Sequence, residues 1–168
     1  MQILLNHDVK QAIIKSLSPD LLEKKWRLLV PPDAPAVAGH CAIASEAFYW
    51  LAGGKEAGFV PVVCSYYKDD KGEYWLGKIP PENSHKETHW WIRGSKNGER
   101  GKGEVYDITA EQYNFPFPYQ YGRNSGFMQP QGLPSKRAKI IMERVATKLG
   151  THELQELRIR NISAYKNL

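Results

Sequence analysis

The sequence predicts a single α+β domain. Apolar residues recur at helical spacing from Cys41 to Leu51, and three valine-rich or aromatic stretches at 59–67, 88–93 and 104–109 follow with turn-forming segments between them. Helical spacing then returns after Ser135. At 168 residues the chain fits one domain with a core of its own. Hydrophobic residues at 42% and charged residues at 24% exclude a disordered chain and a disulfide-dense miniature fold.

In chain order, Val9, Ala12, Ile13 and Leu17 share one helical spacing and Leu21, Leu22, Trp26 and Leu29 another, which predicts two short helices, the second capped by Ser18 with Pro19 at its first position. Pro31, Pro32 and Pro35 then impose an irregular segment, because proline lacks the backbone donor and disfavours helix in the residue before it. The helix from Cys41 stops at Gly53-Gly54. Between the expected strands, 68–86 and 94–103 carry the glycines, prolines and asparagines of turns and loops. Residues 113–134 combine prolines and glycines with Tyr113, Phe115, Phe117, Tyr119, Tyr121 and Phe127, the composition of an ordered, aromatic-packed loop. Ser135 caps a last helix that Gly150 stops, with a second helical piece after it.

No apolar stretch approaches the roughly 20 residues a membrane span requires, and the N-terminus lacks the pattern of a secretory signal, so a cytoplasmic protein with no membrane partner is expected. In that compartment Cys41 and Cys64 are reduced thiols. The net charge of +5 is scattered, and its modest C-terminal concentration alternates with apolar residues as on a solvated helix face. Without a recognisable binding module beside it, nucleic acid is not an expected partner.

A thiol becomes a nucleophile when ionised, and both a helix N-terminus and a nearby imidazole favour the thiolate. Cys41 opens its helix, and His89 in Thr88-His89-Trp90-Trp91 is the histidine a strand would deliver to it. An imidazole needs a carboxylate or amide on its second nitrogen, and a hairpin joining 88–93 to 104–109 would bring Asp107 there. Trp90 or Trp91 would shield the pair from water.

Gly39-His40-Cys41-Ala42 entering a helix, His89-Trp90-Trp91-Ile92-Arg93 on a strand and Asp107-Ile108-Thr109-Ala110-Glu111-Gln112-Tyr113 on the next resemble the papain-like and transglutaminase-like cysteine hydrolase superfamily, and within it the small bacterial proteins of the YunG family. The resemblance spans residues 39–113. It implies a papain-like core of the transglutaminase or NlpC type, with a nucleophile helix packed on an antiparallel sheet and further helices at both ends. It also implies Cys41 as nucleophile, His89 as general base and Asp107 as orienting acid, with no cofactor. It names no substrate, because the framework serves proteases, amidases, deamidases and acyl transferases.

Papain-like proteases carry a glutamine shortly before the nucleophile, and none occurs between Gln11 and Cys41. The Cys41 amide and either the His40 ring or a donor from the aromatic loop are the expected substitutes. His40, Trp90, Trp91, Gln112 and Tyr113 are the expected substrate-binding residues, with Arg123 and Asn124 as further polar candidates. Cys64, within Val62-Val63-Cys64-Ser65, reads as core. His85-Lys86-Glu87 matches half of the zinc deaminase signature, but the Pro-Cys-x-x-Cys half is missing and no metal site is expected. The expected function is hydrolysis of an amide or related acyl bond in a peptide, protein or small amide. Two alternatives stay open: a non-catalytic peptide- or protein-binding module, and deamidation or acyl transfer by the same residues.

Overall fold

Val9, Ala12 and Ile13, the residues whose spacing predicts the first helix, are all buried on α1 (Asn6–Ile14) of the computed structural model, which describes residues 3–76, 80–127 and 132–167. The second expected helix is different. Pro19–Leu21 is a single 3₁₀ turn, Ser18 caps nothing, and its hydroxyl accepts instead from Arg144 at 2.6 Å. Leu21 and Leu22 enter the core from this turn, and α2 (Lys24–Leu29) starts only afterwards and buries none of its own residues. Two core leucines beside an exposed helix mimicked one continuous helical stripe.

α3 (Cys41–Ala52) begins after the proline segment and ends where Gly53 adopts φ 113°, a left-handed conformation that favours glycine. Ala44, Ala47 and Ala52 are fully buried on it, and small side chains let α1 and the later helices approach closely.

The sheet is antiparallel throughout. β1 (Val60–Asp69) pairs along its whole length with β3 (Ser84–Arg93), from Val60 opposite Arg93 to Asp69 opposite Ser84, and Cys64 lies opposite His89. β2 (Tyr74–Trp75) and β5 (Arg123–Asn124) share the other edge of β1, while β4 (Val105–Tyr106) joins β3 only at Ile92 and Arg93. Both long strands run into the stretch 68–86 that the sequence marks as loop, because Lys68, His85 and Lys86 hide a register that backbone pairing continues. Residues 77–79 of that stretch, and 128–131 of the expected aromatic loop, lie outside the described residues. The expected strand 104–109 is shorter than its pattern suggests and stops before Asp107.

One core lies between the helices and the sheet, around Phe48, Phe59, Ile92, Ile108 and Ile141. A second lies on the opposite face, where Val60, Val62, Cys64 and Tyr66, every other residue of β1, meet Trp91 and Phe117. α4 (Lys136–Leu149) is capped by Ser135, whose hydroxyl accepts from the Ala138 amide at 3.2 Å, and α5 (Thr151–Lys166) follows Gly150. No helix among the described residues is long and apolar enough to cross a membrane.

Candidate active site

Because β4 covers β3 only at Ile92 and Arg93, the rest of that edge offers unpaired backbone groups to whatever packs beside it. α3 lies along it. The Thr88 carbonyl accepts from the Cys41 thiol at 3.6 Å, and the Trp90 carbonyl accepts from the Ser45 hydroxyl at 3.0 Å. The helix N-terminus is thereby fixed one residue from His89, with Cys41 partly exposed.

His89 is fully buried, and its Nε2 donates to Asp107 Oδ2 at 2.7 Å. A carboxylate only accepts, so the neutral ring carries its proton on Nε2 and turns an unprotonated Nδ1 to the other side. On that side stand the Cys41 side chain and the Gln112 amide, whose Nε2 is 3.2 Å from Nδ1. Burial works against a charge on the ring, but the hydrogen bond to Asp107, the Cys41 side chain and the charges of both outweigh it and raise the His89 pKa to about 9. Phe117, Tyr113 and Trp91 surround the ring, with centroids 4.6, 4.8 and 5.7 Å away.

Asp107 is itself over-determined. Its Oδ1 accepts from the Thr109 amide at 3.1 Å and its Oδ2 accepts from the Tyr119 hydroxyl at 2.8 Å as well as from His89. The bond to Thr109 is a side chain reaching its own backbone two residues on, which ends β4 and turns the chain into the 3₁₀ turn Ala110–Gln112. That turn returns Gln112 to His89.

A cleft of about 460 Å³ opens over Cys41. Trp26, Leu29 and Val30 line one side, and Tyr66, Glu87 and Tyr113 line the other. Glu87 accepts from the Tyr66 hydroxyl at 2.7 Å and pairs with His85 Nε2 at 2.7 Å, while the Tyr66 and Tyr113 hydroxyls are 3.1 Å apart. Tyr66 gives its one proton to Glu87, so it accepts from Tyr113. Burial pushes both phenol pKa values far above the usual range, which keeps the chain of donors in this order.

The structure thus brings Cys41, His89 and Asp107 together, and Trp90, Gln112 and Tyr113 line the cleft with Cys41 while His89 and Asp107 lie buried behind it. Two expected binding residues are placed elsewhere. The His40 ring is buried, with Nδ1 3.1 Å from the Ala38 carbonyl and Nε2 3.0 Å from the Ser18 carbonyl, and it ties the proline segment to the turn at Ser18. Trp91 is buried on the far face of β3 against Phe117 and Tyr119 and shields the His89 side of the sheet. Arg123 and Asn124 are exposed on β5 and are not part of the cleft. Cys64 is buried in the second core, and burial pushes its thiol pKa up. Among the described residues no three His, Cys, Asp or Glu side chains converge as metal ligands. Sequence reasoning missed Tyr119, Thr109 and the Tyr66–Glu87 pair. They act through hydrogen bonds to other side chains, and the only signal was the aromatic density of the loop. No protein-family model matches this chain, and no curated protein or solved structure matches it either.

Chemically, the site joins a thiol at a helix N-terminus, an imidazole held in one tautomer and an open cleft. Such a set can pass a proton from sulfur to Nδ1 and back to a substrate atom.

Proposed function

We propose that the chain is a cytoplasmic cysteine hydrolase with a papain-like core, similar to the YunG family, acting on an amide or related acyl bond of a peptide, protein or small amide. The observation that carries the reading is the buried His89, with Nε2 committed to Asp107 and Nδ1 turned to a partly exposed Cys41 at the foot of the cleft. In this reading Nδ1 takes the thiol proton, the Cys41 thiolate attacks the carbonyl carbon and the C=O pair moves onto oxygen. The first turn of α3 has amide N–H groups without helical partners, and that of Cys41 faces the developing charge. Collapse expels the leaving group with the proton from Nδ1 and leaves a thioester. His89 then takes a proton from water, whose oxygen bonds to the thioester carbon; the C–S bond breaks, the acid leaves and Nδ1 returns the proton to sulfur. Hydrolysis and deamidation both resolve the thioester with water and differ in the leaving group, whereas acyl transfer uses another nucleophile, and the products tell them apart.

The test is alkylation of the full chain by iodoacetamide at pH 6, where a free cysteine with pKa about 8.5 is almost entirely thiol. The wild-type chain is expected to label at Cys41, Cys41→Ala not to label at that site while keeping its circular dichroism, and His89→Ala to label at least about tenfold more slowly. A Cys41 that labels slowly and ignores His89 would remove the hydrolase reading and leave the cleft as a peptide-binding surface.

A further inference from the structure

We infer that Gln112 is the second donor to the oxyanion, a group that the sequence around Cys41 does not supply; the inference rests on the hydrolase reading. The Gln112 amide nitrogen carries two hydrogens. Thr109 Oγ1, on a fully buried residue, lies 2.9 Å away and takes one of them, which fixes the plane of the amide. His89 Nδ1, 3.2 Å away, takes the other while the imidazole is neutral. Gln112 lines the same cleft as Cys41, which puts this amide on the side of His89 that the cleft reaches.

Four polar side chains near the thiol are committed elsewhere. Both His40 nitrogens meet backbone carbonyls, Ser45 donates to Trp90, Tyr66 donates to Glu87 and Tyr113 donates to Tyr66. Gln112 differs from them because its acceptor disappears during the reaction. When the proton moves from Cys41 Sγ to His89 Nδ1, that nitrogen changes from acceptor to donor and the Gln112 hydrogen loses its partner. At the same step the carbon–sulfur bond forms and the carbonyl oxygen becomes negative. The donor is therefore released when the charge it stabilises appears, a preference for the transition state over the ground state. The 3₁₀ turn set by Asp107 and Thr109 makes this placement, so the residue that orients His89 also positions the donor.

Two reactions of the same thiol separate this role from others. Alkylation by iodoacetamide forms no oxyanion, whereas acylation by p-nitrophenyl acetate does and releases p-nitrophenol. In the full chain, with Cys41→Ala as the background, Gln112→Ala and the near-isosteric Gln112→Glu are expected to slow acylation about 100-fold. Alkylation is expected to stay unchanged or rise, since the variants withdraw a donor that stabilises neutral imidazole. Equal losses in both reactions would overturn the inference, because Gln112 would then act only on the thiol and imidazole, as it would with its carbonyl facing Nδ1. Unchanged acylation overturns it too, as does a wild-type chain that alkylates readily but releases no p-nitrophenol. A wild-type thiol slow in both reactions removes the hydrolase reading itself, and the inference with it.

Discussion

His89 sits where burial and hydrogen bonding oppose each other, and the balance fixes its titration. Burial favours the neutral ring, while Asp107 and Cys41 favour the charged one and prevail, raising the pKa to about 9 from an ordinary value of 6.5. A folded-state pKa above the unfolded one contributes stability that is complete below about 6.5 and is lost as pH rises through about 9. Unfolding in urea is therefore expected to show lower stability at pH 10 than at pH 6, by up to about 3 kcal/mol, with the difference largely gone in His89→Gln. Imidazole NMR gives the cleaner reading of cause. The His89 pKa is expected near 9 in the wild-type chain and lower in Cys41→Ala, because one of the groups that raise it is gone. An unchanged value would mean that the thiol and ring do not interact. At this scale much was legible. A cysteine opening a helix, a histidine amid tryptophans and an aspartate on the following strand each had a chemical reason to be singled out. Tyr119 and Thr109 had none, because each acts on Asp107 and not on a substrate. His40 misled for the converse reason: a polar ring beside Cys41 can be consumed entirely by backbone carbonyls.

Elements are placed by polar groups as much as by apolar ones. α3 was readable from alanines, phenylalanine and a terminal glycine, and β1 from its valines. The first half of β3 was not, because Ser84-His85-Lys86-Glu87 shows no apolar alternation and is held in the sheet by its pairing with β1. The short β4 was also hidden, since the bond from Asp107 to the Thr109 amide, not the apolar pattern, decides where the strand stops. α4 shows the same dependence. Its N-cap Ser135 is gripped by the buried Glu46 of α3, which accepts from the Ser135 amide and hydroxyl, both at 2.7 Å. The hydroxyl that donates to Glu46 accepts in turn from Ala138, so one carboxylate holds the cap in position and locks α4 to α3. Glu46→Ala leaves the half-buried Ser135 amide and hydroxyl without their acceptor and is expected to lower stability by about 1–2 kcal/mol. Glu46→Gln keeps one acceptor oxygen and is expected to lose less. The urea midpoint at constant slope checks both. If the two variants were equally stable as wild type, α4 would be held by apolar packing alone.

Across the whole molecule, the sheet separates two cores, and the geometry of the candidate site depends on both. The helical core presents Cys41 from one side. The aromatic loop closes the other side and brings Tyr119 to Asp107 and Phe117 against His89. The loop's ordered, aromatic character was visible in its composition, but which ring faces which was not, because that follows from contacts with Trp91 and β1 far away in sequence. Gly122 makes the dependence testable. A Cβ at this position would fall 2.2 Å from Trp91 Cζ2 and 2.6 Å from Val62 Cγ1, and Trp91 has no exposed surface through which to yield. Gly122→Ala must therefore lift the loop off the sheet, and Tyr119, three residues earlier, moves with it. The expected loss of stability is about 1–3 kcal/mol, the usual cost of overpacking. With Tyr119 displaced, Asp107 loses one of its donors and His89 part of its fixed orientation, so alkylation of Cys41 at pH 6 is expected to slow as well. Gly126→Ala is the control in the same loop, since a Cβ there meets nothing within 4 Å, and both readouts are expected to stay at wild-type values. Gly122→Ala that lost stability but alkylated at the wild-type rate would show that the loop covers the second core without holding the site.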